Sequence, residues 1–326
     1  MMFGDGAGAK PGVSYVITVY NKAPYLPGVI DSLVAQEGDF EREFIFVDDG
    51  STDDSAQVIR EVTGGWNNVR VIAQENAGPA LATNAGVAAA SGDLIKPVDG
   101  DDVLAPYATR LLMDILERQR VVLAFGWLGY YDSPDKIAFA APPDVSSNPG
   151  LVKVFADPLM TVIDQGFAGV SHMLFQRDAF RAAGSCDPGL FSQDHSLFLR
   201  LALRGRIAKL NHLLCLGPAD DPNRVMANKA QVMHDSTLAL ARLLQQNPEL
   251  PRRYHRAVTR TIADRANKWA RRELGWVSPL DPCFLVNAMT KLPGLCLSPE
   301  FLGRRCRIFL ENAQVRLVQD QSPSPG

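Results

Sequence analysis

The sequence is poor in most of the features that would steer a reading of it. Its 326 residues hold five cysteines (Cys186, Cys215, Cys283, Cys296 and Cys306), an odd number without a C-x-x-C pair. That argues against a disulfide framework or a zinc knuckle and fits free thiols in a reducing compartment. No run reaches the roughly 18 apolar residues a spanning helix needs. The nearest, 284–297, is broken by Asn287, Lys291, Pro293 and Gly294. No apolar stretch follows Met1, so residues 1–12 read as a flexible, Gly-rich leader and not as a secretory signal. Charge of neither sign dominates: 33 Lys and Arg against 36 Asp and Glu leave a net −3, no field for a nucleic-acid partner. The five histidines show no H-x-x-x-H or H-E-x-x-H spacing. What remains is ordinary globular composition, 46% hydrophobic and 21% charged. A soluble, cytosolic protein of one large domain or two is the expectation.

The first third alternates two periodicities. Strands are expected at 13–19, 43–47, 69–73, 94–98 and 121–125, where short β-rich or apolar runs occur. Between them lie helical patterns. The first carries Leu26, Val29, Ile30, Leu33 and Val34 on one face. Others follow at 53–62, capped by Ser51 or Asp53, at 79–90, and at 106–118. Strand and helix alternating five times predict an α/β fold with a largely parallel, doubly wound sheet. After Asp132 the pattern blurs, with a strand expected at 169–175, helices at 177–183 and 193–204, and a last strand at 207–216. Beyond about 220 the chain turns to helix formers. A catalytic domain over 13–220, divided near 125, a mainly helical extension over 221–320 and a frayed tail over 321–326 are therefore expected.

Three polar clusters fall at predicted strand ends: Thr18-Val-Tyr20-Asn21, Asp48-Asp49-Gly-Ser51 and Asp99-Gly-Asp101-Asp102. In an open parallel sheet these ends share one rim, where ligands bind. Asp99 and Asp101 stand at the i, i+2 spacing that aims side chains the same way in extended chain. Such a carboxylate cluster suits a hard divalent cation, or else is a solvated turn that caps the next helix. Asp49 could accept a hydrogen bond from a base or ribose; Gly50 and Ser51 alone would serve as turn and cap.

The runs Val13–Asn21, Asp31–Gln36 and Val47–Asp53 resemble family 2 glycosyltransferases. Asn76-Ala-Gly78, Asn84-Ala-Gly86, Ser91–Ile95 and Asp99-Gly-Asp-Asp102 continue the resemblance in order, and 169–175, 184–191 and 193–200 match its second half more loosely. The resemblance implies a GT-A fold that binds a nucleotide-diphosphate sugar with Mn²⁺ or Mg²⁺ and transfers the sugar with inversion to a hydroxyl acceptor on a glycan or lipid-linked glycan. It implies Thr18, Tyr20, Asn21 and Asp49 at the nucleoside, Asp99 at the ribose and donor, and Asp101 as principal metal ligand. It gives the general-base role to Asp194, which by spacing alone is an ordinary helix cap. A UDP-sugar is the default donor, with thymine and guanine open as the base.

Three positions depart from the family pattern. Thr83 stands where relatives commonly carry Arg or Lys, Gln193 replaces a Glu, and Lys96-Pro97 interrupts an apolar strand end. Lys96 is the residue that could replace the missing positive charge at the diphosphate. Some relatives close the metal site late in the chain, which makes His212, Asp220 and His234 minor candidates. Between Arg252 and Arg272 lie eight Lys and Arg. They form either a solvated helical face or a surface that meets anionic lipid. The rival functions are a non-catalytic nucleotide-sugar or carbohydrate-binding module and a sugar-nucleotide pyrophosphorylase. The latter would need a Gly-rich basic loop where Thr18–Lys22 stands.

Overall fold

The computed structural model describes residues 12–219, 227–276, 278–292, 294–311 and 313–318. Of the expected leader only Gly12 is described, and Asp220 and the tail 321–326 lie outside the described residues. The strands are β1 (Gly12–Val19), β2 (Glu41–Asp48), β3 (Val69–Ala73), β4 (Leu94–Asp99), β5 (Val103–Leu104), β6 (Leu123–Tyr131), β7 (Val152–Val154), β8 (Met173–Gln176) and β9 (Ile207–Pro218). The first seven helices are α1 (Leu26–Val34), α2 (Ser55–Thr63), α3 (Pro79–Ala89), α4 (Ala108–Gln119), α5 (Pro158–Gln165), α6 (Arg177–Ala182) and α7 (Asp194–Ala202). The last four are α8 (Lys229–Gln246), α9 (Arg252–Arg272), α10 (Pro282–Met289) and α11 (Pro299–Arg305). The chain divides into two compact units. One takes in Met1–Pro158, Ala168–Cys186 and Leu201–Asp221, and the other Leu159–Phe167, Asp187–Arg200 and Pro222–Gly326.

The first unit is built on a nine-stranded sheet in the order β3-β2-β1-β4-β8-β6-β9-β5, with β7 also on β9. Pairings β1–β2, β1–β4, β2–β3 and β6–β9 are parallel. The short β8 enters antiparallel to both β4 and β6, and β5 and β7 join β9 antiparallel. The parallel, helix-flanked half is the part that the alternating pattern anticipates.

Period 2 in β1 places helices on both faces of the sheet. Val13, Tyr15, Ile17 and Val19 share a core with Leu26, Val29, Ile30 and Leu33 of α1 and Leu111, Leu112 and Ile115 of α4. Full burial of each such large aliphatic side chain stabilises the fold by roughly 1.5–3 kcal/mol. On the other face Val16 lies against α3 at Gly86, so closely that a Cβ there would stand 2.3 Å from Val16 Cγ1. Gln36, just beyond α1, joins the two helices: its amide donates to the Ala105 carbonyl (2.9 Å) and accepts from Thr109 Oγ1 (2.7 Å).

In the second unit Ala266 and Ala270 of α9, Cys283 of α10, and Cys306, Ile308 and Phe309 form a small core lined by Trp269 and Trp276. Asp187 anchors the same unit with a buried carboxylate that accepts from Arg242 (2.8 Å) and Arg200 (3.0 Å).

Candidate functional site

The register puts Thr18 beside Val47 on one side and Asp99 on the other, so the carboxyl ends of β1, β2 and β4 lie level. The three polar clusters therefore meet on one rim of the first unit. Backbone bonds knit them: Gly100 N–H donates to the Thr18 carbonyl, Asp49 N–H to that of Val19, and Gln74 N–H to that of Asp48.

Around this frame the side chains act mostly on the loops. Asn21 holds a left-handed backbone (φ 54°), which Asn tolerates better than most residues. Its Oδ1 accepts from Thr52 N–H (2.8 Å), and its own N–H donates to Ser51 Oγ (3.0 Å). Lys22 N–H donates to Ser55 Oγ and Ala23 N–H to Asp53 Oδ2. Ser51 does not cap α2 but holds the end of β1, whereas Asp53 serves both: Oδ2 accepts from Ala23 N–H, and Oδ1 from the N–H of Ser55 (3.0 Å), the first residue of α2. Asp53 keeps its carboxyl below the usual range through bonds from Ser55 and Ala23, against the opposing effect of partial burial, the largest single influence on it.

Asp49 is buried and accepts from Gln74 Nε2 (2.7 Å), Ala77 N–H (2.9 Å) and Gly78 N–H (2.8 Å). The carboxylate thus fixes the loop 74–78 that leads into α3. Gly50 allows the approach: its φ is +77°, and a Cβ would stand 2.9 Å from Asn76 N. Tyr20 is exposed at the rim, and Thr18 Oγ1 makes a long 3.4 Å bond to Asp99 Oδ1.

Asp99 is half-buried, whereas Asp101 and Asp102 are buried. Asp99 N–H donates to Ser171 Oγ (2.9 Å). Asp101 Oδ2 forms an ion pair at 2.7 Å with Lys22 Nζ, the two side chains 4% and 11% exposed. Sequence reasoning missed Lys22; its place four residues after Thr18, in the same strand-end cluster, was the available signal.

Lys96 departs from the expectation of a phosphate contact. Its side chain is fully buried, and Nζ donates to the Ser171 carbonyl. Burial pulls its ammonium down to about 8, against the attraction of Cys215, Asp102 and Asp99. A lysine with no exposed surface answers the acidic turn from beneath and does not reach over the rim. Thr83 is buried as well.

The described minor metal candidates each have another partner. His212 Nε2 pairs with Tyr107 OH at 3.0 Å, and burial lowers its imidazole. His234 belongs to the second unit, where Nδ1 meets Asp235 Oδ1 at 2.8 Å. Among the described residues no three His, Cys, Asp or Glu converge to hold a metal ion. The rim's donor set nevertheless fits Mg²⁺ or Mn²⁺. Such hard ions bind through one or two carboxylates and complete their shell with waters and phosphate oxygens. Asp99 and Asp101 are the carboxylates on this turn that could serve in that way, and Lys22 engages one oxygen of Asp101.

Asp194 lies in the second unit. It is the first residue of α7, half-buried, and its Oδ1 accepts from His195 N–H at 2.7 Å. Its neighbour Gln193 is buried, and its carbonyl accepts from Ser196 Oγ.

Residues 14–180 match the model of glycosyl transferase family 2. An uncharacterized glycosyltransferase of Nostoc sp. is 31% identical over 181 residues, 54% of this chain and 54% of that protein. The chain spans about half the length, or less, of the curated relatives it matches. Among solved structures, S. aureus TarS 1-349 in complex with UDP-GlcNAc aligns with a TM-score of 0.61 at 15% identity, over 84% of this chain and 78% of that one. The mannosyltransferase PcManGT from Pyrobaculum calidifontis, in complex with GDP-Man and Mn²⁺, aligns with a TM-score of 0.52 at 14% identity, over 93% of this chain and 86% of its own. These likenesses establish the GT-A fold.

Proposed function

The chain belongs to glycosyl transferase family 2, and from that premise we propose that it moves a sugar from a nucleotide-diphosphate sugar to a hydroxyl acceptor with inversion. The observation that carries the reading is the rim itself. Three polar strand ends lie level and are tied to one another, with Asp99 and Asp101 on one turn. Two fold neighbours bearing UDP-GlcNAc or GDP-Man with Mn²⁺ support a donor of the same class.

In this reading Thr18, Tyr20, Asn21 and the loop fixed by Asp49 border the nucleoside, with UDP as the default. Asp99 and Asp101 hold a divalent ion, which when bound supplies Lewis-acid neutralisation of the charge gathering on the diphosphate. The acceptor oxygen forms a bond to the anomeric carbon from the face opposite the leaving group. The bond from that carbon to the diphosphate oxygen breaks, and its electron pair leaves with the diphosphate. The acceptor's proton is taken up by the carboxylate of Asp194, the general base of this reading. The acceptor in this reading is a glycan or lipid-linked glycan.

Turnover tests the proposal. Asp194→Asn should abolish release of nucleoside diphosphate from the productive donor and leave nucleotide binding intact. The competing reading is a nucleotide-sugar-binding module, and one observation favours it: Lys22 already engages the proposed metal ligand Asp101. Binding of a donor by the native protein without turnover across a panel of hydroxyl acceptors would decide for the module.

A further inference from the structure

Helix α10 is inside out. Its buried positions are Cys283 and Asn287, followed by Thr290 just past its end, while its large apolar residues face away from the protein. Phe284 is 39% exposed, Leu285 45% and Met289 48%, flanked by Leu280 at 79% and Leu292 at 61%. Positions 284, 285, 289 and 292 fall on one side of a helical turn pattern. The inward side is settled by contacts: Asn287 Nδ2 reaches the Ala263 carbonyl and Asp264 Oδ1 of α9, and Thr290 Oγ1 donates to the Asn287 carbonyl. Of the twelve exposed large hydrophobic residues among those described, five lie in 280–292. A concentrated apolar patch of this kind marks an interaction surface.

The surroundings specify the occupant. Segment 280–292 together with 260–273 and 299–307, which meet α10 through Asp264, Arg305 and Cys306, carries nine Lys and Arg against four Asp and Glu. Arg260, Lys268, Arg271, Arg272 and Lys291 are exposed, and Lys268 is joined to Asp264, one of the acids, at 2.7 Å. Arg305 donates to Cys283 Sγ at the start of α10. A second copy of the chain docking through this face would bring two basic rims together, and like charges juxtaposed across an interface oppose it. An anionic bilayer meets both demands, an apolar interior for the ridge and negative headgroups for the rim.

We propose that α10 and the turn after it form an interfacial anchor. Phe284, Leu285, Met289 and Leu292 enter the headgroup region of a membrane rich in anionic lipid, and the flanking basic residues bind the headgroups. No described helix is long and apolar enough to cross the bilayer, so the contact is peripheral. The inference is independent of the transfer reaction and moves the membrane contact expected of the basic face of α9 onto the apolar ridge of α10.

The test is co-sedimentation of the full chain with vesicles of phosphatidylcholine alone or with phosphatidylglycerol as a third of the lipid. The native protein should bind the anionic vesicles, and Phe284→Ser/Leu285→Ser/Met289→Ser should lower partitioning at least tenfold. Both proteins should keep the same far-UV circular dichroism, since the buried side of α10 is made by Cys283 and Asn287, which are left in place. Arg271→Glu/Arg272→Glu/Lys291→Glu should lose binding to anionic vesicles at low salt. Failure of the native protein to bind either vesicle would overturn the proposal. So would equal binding by the serine variant, or a native dimer that the serine substitutions dissociate without any vesicle binding. Loss of nucleotide turnover would not bear on it.

Discussion

The ion pair between Lys22 and Asp101 offers a quantitative test of how the rim is held. The two groups lie 2.7 Å apart, with side chains 11% and 4% exposed. Removing one partner of a buried pair leaves an uncompensated charge and typically costs about 3–5 kcal/mol. Lys22→Met and Asp101→Leu each remove one side of this buried pair, and each should lower stability by up to that range. Replacing both with apolar groups of similar volume is often neutral, because the desolvation penalty disappears with the attraction. The double variant should then lie within about 1.5 kcal/mol of the native protein, far above the sum of the single losses. Urea denaturation of the four proteins reads this directly, provided the slope m is common to them so that midpoints report stability. Single losses below about 1 kcal/mol that simply add would refute it, since that is the behaviour of a solvent-exposed pair. The same cycle bears on function. If Lys22 competes with a metal for Asp101, Lys22→Met should bind Mn²⁺ more tightly than the native chain, as read from the paramagnetic signal of free Mn²⁺.

Other outcomes follow from single sites. His172 and His195 are buried, and burial above all, helped by Lys96 and Lys209 in one case and Arg265 in the other, lowers each imidazole to about 3 from 6.5. Below pH 6.5 the unfolded chain takes up protons that the folded chain refuses, so stability present above that value is lost progressively towards pH 3. His172→Phe should flatten this acid limb in melting curves taken between those limits, and an unchanged limb would count against the assignment. Gly50→Ala should cost about 1–3 kcal/mol in denaturation, because a strained left-handed backbone carries that penalty and the new Cβ meets Asn76 N. Asp187→Asn should cost about 3–5 kcal/mol by removing the buried carboxylate charge that Arg200 and Arg242 share, visible as a lowered unfolding midpoint.

The sequence made the parallel half legible because each element there answers to one period. Val69–Ala73 coincides with its expectation, and the β1, β2 and β4 strands exceed theirs by one to three residues. Two strands escaped. The two-residue β5 and three-residue β7 are too short to show a period and exist only through pairing with β9. The direction of β8 escaped too, since an antiparallel entry between β4 and β6 is decided by contacts distant in sequence. At the rim, residue types were readable but their assignments were not. Ser51 and Asp53 both look like helix caps, yet Ser51 is claimed by Asn21, and Asp53 divides its two oxygens between Ala23 and the first N–H of α2. Lys96 looks like a phosphate ligand until its burial is known. The apolar run from Phe284 was visible in the sequence, but composition alone does not tell which side of a helix faces the protein.

Binding of nucleoside diphosphates at the rim of β1, β2 and β4 is the most direct measurement of the central claim. Calorimetric titration of UDP, GDP and dTDP, with and without Mn²⁺, should show saturable binding of one base that Mn²⁺ strengthens. The half-buried Asp99→Asn should weaken that binding at least tenfold, about 1.4 kcal/mol, while the protein remains folded. Absence of binding by all three diphosphates with Mn²⁺ present, or binding unaltered by Asp99→Asn, would contradict the account.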